Sequence, residues 1–432
     1  MTADRVRTLL PILAVVLIAS MKPLAAQGNA TRAVDALLRE AQAVFDGGDF
    51  PAAQSALEKV LMIAPDNTEA QLQLGVVYLF SDRVAMARFQ LGLVADAHPR
   101  DVRLLVRIGA ALVRASRPAD AEPYLTRALS VAGDDPEVNL LLGQVYSGTG
   151  RQEQAIERLR AAVRIDPTRA HAHYFLGIAY TLEDKRGEGL EELARAVALA
   201  PDQPGFRFYL GLAYLEARRD ADAAAELARV VEQVPDDIEA RVNLAWALIN
   251  AGKPGDAAAA VTYAVERQPD NAVGWFILGE ATRREGDQGA AIPHYERAVA
   301  LDGGMVDAMF ALGTVHYRRH ELDQAVVWFG RILTVDPNHV GAHYQLGKIS
   351  LQRGRVDEAL THLEICARVT PNNKGALYQL SRAYRLKGDD TRADQELALF
   401  RALGSEAPDE PGREDQRLDR LATRRARPSP RR

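Results

Sequence analysis

The sequence predicts an all-α fold assembled as a solenoid of repeated helix pairs, and three observations carry that prediction. The chain has 432 residues, more than one ordinary core accommodates, since single cores stop growing near ~250–300 residues unless the chain is built from repeats. Pro65, Pro99, Pro167, Pro201, Pro235, Pro269, Pro337 and Pro371 fall on a 34-residue grid whose two empty slots hold Gly133 and Gly303. Ten residues after each slot stands a small residue, in order Gly75, Gly109, Gly143, Gly177, Gly211, Ala245, Gly279, Gly313, Gly347 and Ser381.

Each element follows from this grid. A helix cannot continue through the proline or glycine slots, so they end one helix and precede the next. Glycine inside a helix costs roughly 0.5–1 kcal/mol against alanine, so its recurrence implies close approach by a neighbouring helix. A second small column, with Ala87, Ala121, Ala155, Gly189 and Ala223 as its first members, lies twelve residues further on and marks the second helix of each pair. Pro123 and Pro293 fall inside predicted second helices and are expected to kink them.

The segments outside the grid have their own character. Residues 1–26 place Arg5 and Arg7 before an apolar run from Leu9 to Ala19 and a small-residue end at Ala25 and Ala26, the order of a secretory signal peptide. The run is about half the ~20 residues a membrane-spanning helix needs. The expected mature chain therefore starts at Gln27, with an exported, periplasmic or extracellular address. An uncleaved leader would instead make it membrane-associated. Residues 27–33 form a lead-in, the repeats run over 34–403, and 404–432 is a charged tail in which a capping helix is expected over Arg413–Arg424.

Composition narrows the function classes. Hydrophobic content of 47% and charged content of 26% belong to a soluble folded protein. The formal charge of −5 becomes −7 once Arg5, Arg7, Lys22 and Asp4 leave with the leader, which argues against a nucleic-acid partner. Cys366 is the one cysteine, so neither an intrachain disulfide nor a cysteine metal cluster is available.

The stretches LLGQVYSGTGRQEQAIERLRAAVRIDP from Leu141 and FLGIAYTLEDKRGEGLEELARAVALAP from Phe175 carry a pattern of leucine, glycine, tyrosine, alanine and proline. In this they resemble the tetratricopeptide repeat family. The register begins near Val34 and gives about eleven repeats through Leu403. The resemblance implies a right-handed superhelical solenoid that binds proteins along a concave groove. Asn139 and His173 depart from the family's large residue near the start of the first helix.

The candidate chemical sites read as structural. His339 and His343 stand four apart, but Val340 follows where a zinc helix would carry glutamate, and the pair straddles the turn into a helix. His316 and His320 are also four apart, with His320 in a turn position held by Gly150, Gly252, Gly286 and Gly354 in other repeats. Cys366 fills a slot otherwise held by Ala128, Ala162, Ala196, Ala264 and Ala298, so it reads as buried filler rather than nucleophile. No catalytic, metal or cofactor site is expected, and the chain reads as a non-enzyme.

The resemblance implies that repeat positions 2, 5, 9, 12 and 13 of the first helices face the groove. These give Tyr174, Phe208, Trp246 and Phe276 in the middle repeats. In the last four they give Arg283, Arg284, Tyr317, Arg318, Tyr344, Lys348, Tyr378, Arg382 and Arg385. The groove is thus expected to pass from apolar to cationic, suiting a protein or peptide with an acidic segment. Some family members clamp a partner's terminal carboxylate; here only Arg103 and Arg107 match that pattern in charge, so tail capture is not carried over. The expected function is an envelope scaffold of assembly, secretion or pilus-biogenesis type. The alternatives are a membrane-anchored component and a glycosyltransferase-type array without its catalytic domain.

Overall fold

A computed structural model of the protein describes residues 24–403. Residues 1–23 of the predicted leader and the predicted capping helix at Arg413–Arg424 lie outside the described residues. Among those described there are 22 α-helices and no strand, in two compact bodies that divide at Glu183 and Asp184.

The first body holds α1 (Leu24–Asp46), α2 (Phe50–Ile63), α3 (Thr68–Phe80), α4 (Val84–Ala97), α5 (Val102–Arg114), α6 (Pro118–Ala132), α7 (Pro136–Gly148), α8 (Gln152–Ile165) and α9 (Ala170–Leu182). The second holds α10 (Arg186–Leu199), α11 (Pro204–Glu216), α12 (Asp220–Gln233), α13 (Ile238–Asn250), α14 (Pro254–Arg267), α15 (Ala272–Arg284) and α16 (Gln288–Leu301). It continues with α17 (Val306–Arg318), α18 (Leu322–Val335), α19 (Val340–Gln352), α20 (Val356–Val369), α21 (Lys374–Lys387) and α22 (Asp390–Ala402). Within each body a helix packs chiefly on its neighbours in sequence, and first helices of successive repeats also touch, as α5 does α7 and α19 does α21. Residues 27–33, expected as a lead-in, are part of α1.

The turn between the two helices of a pair recurs on the same period. Positions 48, 82, 116, 150, 184, 218, 252, 286, 320, 354 and 388 all have positive φ, and six of the eleven are glycine. His320, at φ 60°, sits in this left-handed place, which explains why glycine occupies it elsewhere.

The glycine column does what its cost implies. A Cβ on Gly143 would lie 2.4 Å from Leu159 Cγ, and one on Gly313 2.6 Å from the Phe329 ring. The glycine thus admits the large residue sixteen positions later, at the centre of its own pair. The alanine column completes the contact: Ala87, Ala121, Ala155 and Ala223 are fully buried.

First helices start with side-chain caps, Asn67, Asp101, Asp135, Asp237, Asn271 and Asn373 each accepting from the N–H three residues on. α6 and α16 run through Pro123 and Pro293 as single helices. Each proline is sixth in its helix, so the backbone bond it forgoes points into the first turn, at Ala119 or Gly289.

Candidate partner-binding surface

A recurring hydrogen bond fixes how the first helices stand. The side chain six residues after the grid proline reaches back to that proline's carbonyl: Gln71 to Pro65 at 2.8 Å, Arg207 to Pro201 at 3.0 Å, Arg241 to Pro235 at 2.8 Å and Trp275 to Pro269 at 3.0 Å. His173 and His343 occupy the same place, with Nε2 at 3.0 Å from Pro167 O and 2.9 Å from Pro337 O. His173 is therefore one of a series of N–H donors rather than a local irregularity.

This accounts for the histidine pair as well. His343 Nδ1 lies 2.9 Å from His362 Nδ1 on α20, while His339 caps α19 by accepting from Ala342 N–H at Nδ1. The two rings serve different partners and do not converge. Burial, then the neighbouring His343, pushes the His362 pKa down, against a smaller upward pull from Glu358. His316 Nδ1 is engaged 2.6 Å from Glu321. The Cys366 thiol is fully buried and reaches Val340 O at 3.3 Å. Among the described residues no three histidine, cysteine or acidic side chains gather as a metal set.

The predicted groove residues divide by burial. Phe208, Trp246 and Phe276 are buried in the core of the second body and so offer no surface to a partner. Their rings pack within the array, Trp246 on Phe276 at 6.3 Å and Phe276 on Tyr295 at 6.0 Å. Tyr174 is half-buried in the first body, edge-on to Phe175 at 5.0 Å.

Arg283 also turns inward. With 7% exposure it pairs at 2.8 Å with Glu280, itself 2% exposed. The Tyr295 hydroxyl donates to the same carboxylate at 2.6 Å. Burial alone would push the Glu280 carboxyl up, but Arg283, the Tyr295 hydroxyl and Arg284 together hold it below its ordinary value. Arg284 is half-buried and donates to Ile249 O at 3.2 Å. Arg385 is committed to Asp394 on α22. Sequence reading missed this cluster. Its signal was an acid in a column otherwise holding Val76, Ala110, Leu212 and Trp246, opposite Tyr295 where other pairs place Leu91, Leu125 or Leu159.

The remaining residues form one surface on α17, α19 and α21. The Lys348 ammonium stands 5.3 Å from the centroids of both Tyr317 and Tyr344, held between the two rings. Tyr344 leans on α21, where Gly375 leaves room: a Cβ there would be 3.0 Å from the tyrosine hydroxyl. Tyr378 repeats the Tyr344 position one repeat later, its ring 5.5 Å from Phe400. Arg382 repeats Lys348; it is exposed and donates to Gln379 at 3.1 Å. Arg318 is half-buried at the end of α17. The surface thus alternates tyrosine faces with cationic groups over three consecutive first helices.

Family models described as tetratricopeptide repeat match residues 44–107, 112–179, 179–238, 242–306 and 344–411. The chain is a tetratricopeptide repeat protein. A model described as anaphase-promoting complex, cyclosome, subunit 3 matches residues 285–366 of this repeat protein. No curated protein matches the chain. Among solved structures it is similar to yeast Tom70, with 14% identity, a TM-score of 0.41, and coverage of 87% of this chain and 100% of the other. It is also similar to MamA of AMB-1, with 28% identity, a TM-score of 0.36, and coverage of 38% and 96%. MamA from Desulfovibrio magneticus RS-1 gives 22% identity, a TM-score of 0.34, and coverage of 40% and 97%.

Proposed function

We propose that this tetratricopeptide repeat protein is a non-enzymatic scaffold that holds an acidic peptide or subunit segment against α17, α19 and α21. The observation that carries this reading is Lys348 between Tyr317 and Tyr344, with Arg382 and Tyr378 repeating its chemistry one repeat on. Tyrosine supplies rigid apolar area at low entropic cost, and arginine takes carboxylates bidentately. Export belongs to the same proposal, supported by the order of charged, apolar and small residues in 1–26.

The test uses partners captured by crosslinking in the exporting cell, together with a labelled peptide alternating acidic and aromatic residues. Reversing Arg318, Lys348 and Arg382 to glutamate should abolish capture of both. Binding by the wild type should weaken as salt shortens a Debye length of ~8 Å at physiological strength. Undiminished capture by the triple reversal, with helicity intact, removes this surface from the function. The mass of the mature N-terminus tests export separately, Gln27 being the expected first residue.

A further inference from the structure

Second helices in these repeats turn a polar face outward, and α4 does not. Met86, Phe89 and Leu93 are 46%, 68% and 52% exposed, and Met62 and Ile63 at the end of α2 are 75% and 46% exposed. The positions of Met86, Phe89 and Leu93 are filled by Gln154, Glu157 and Ala161 on α8 and by Glu188, Glu191 and Arg195 on α10. The spacing of three then four is that of a helix-packing seam. Side chains exposed to this degree amount to roughly 500 Å², within the range where an apolar patch on a monomer is functional.

Gly92 supplies a second, independent observation. Each glycine of the first-helix column discussed above has a large side chain pressed against it, which is its reason for being there. Gly92, in the middle of α4, would meet with an added Cβ only the Tyr124 hydroxyl, at 3.9 Å. It forms a hollow beside Phe89 that nothing within the described chain fills.

The rim of the patch indicates what fills it. Arg88 pairs with Asp120 at 2.7 Å, Arg127 with Asp96 at 3.3 Å, and Arg83 donates to Gln54 at 2.8 Å. Glu58 and Lys59 lie side by side on α2. Such a charge-balanced rim gives no pull towards an anionic membrane or a strongly charged protein, and it meets no like-charge penalty against an identical surface. The seam is also self-complementary: with two α4 helices antiparallel about a two-fold axis, Phe89 of each copy enters the Gly92 hollow of the other. We propose that the outer face of α4, extended by the end of α2, is a self-association surface through which two copies of this chain dimerise.

Sedimentation of the full chain over a range of concentrations tests this. A monomer–dimer equilibrium is expected, and Phe89→Lys should raise its dissociation constant at least about ten-fold, as loss of a central aromatic anchor does. Val327→Lys, at the same repeat position on α18, should leave the constant unchanged. Helicity by circular dichroism should match the wild type for both variants. A photo-crosslinking amino acid in place of Phe89 should yield a covalent dimer joined through the peptide carrying Gly92. A wild-type chain that stays monomeric, a dimer indifferent to Phe89→Lys, or crosslinks only to lipid vesicles or to other peptides would each overturn the proposal.

Discussion

At Gly143 an added Cβ would meet Leu159 Cγ at 2.4 Å, whereas at Gly330 in α18 nothing lies within 4 Å. Two chemically identical changes should therefore have opposite signs. Gly143→Ala is expected to destabilise by about 1–3 kcal/mol through overpacking, and Gly330→Ala to stabilise by about 0.4–1 kcal/mol, both read from urea midpoints. Glu280 offers a sharper case, because Glu280→Gln leaves Arg283 buried without its counter-charge. A loss of about 3 kcal/mol is expected. The folded-state pKa of Glu280 is depressed, so the stability it contributes is present above its unfolded value near ~4.3 and lost as pH falls through the folded value. The variant should show a flatter acid limb. His362, also depressed, is stabilising only while neutral: the fold should weaken as pH falls below about 6.5, and His362→Asn should remove that slope. The chemistry of single residues was partly legible in the sequence. The histidines read correctly as structural because His320 shares a glycine turn position. Arg283 did not, because its partner Glu280 sits in a column that is apolar in most repeats.

The clasp between a side-chain N–H and the grid proline's carbonyl sets the start of the first helices. Trp275→Phe keeps the ring stacked near His294, at 5.8 Å, but deletes the donor to Pro269. The expected cost is about 0.5–1.5 kcal/mol, measured by urea unfolding beside Trp275→Ala, which should cost more. Helix order and turn positions were legible in the sequence because both rest on a period, and a period survives substitution at any single site. The apolar end of the groove was not, because repeat positions 5 and 9 serve two purposes. Trp246 and Phe276 meet each other and Tyr295 and close over the core, while Tyr344 and Lys348 at the same positions meet residues that leave them accessible. What separates the two outcomes is the neighbouring repeat's side chains, not the residue's own place in the pattern.

Because each helix packs chiefly on its sequence neighbours, stability should be a sum of local terms rather than a single cooperative block. A chain ending at Pro337 loses α19 to α22 but no helix on which α10 to α16 rest. It should keep its remaining helicity and melt at a lower temperature by circular dichroism; complete unfolding would contradict a nearest-neighbour array. The division into two bodies has a spectroscopic consequence. Trp246, Trp275 and Trp328 are the chain's three tryptophans, and all three lie after Asp184. Indole emission is therefore a private signal of the second body, with Trp246 reporting its dry interior and Trp275 and Trp328 its half-buried second tier. Helical ellipticity sums over both bodies. If the two curves separate during denaturation, their difference isolates the melting of the first body, with no label introduced.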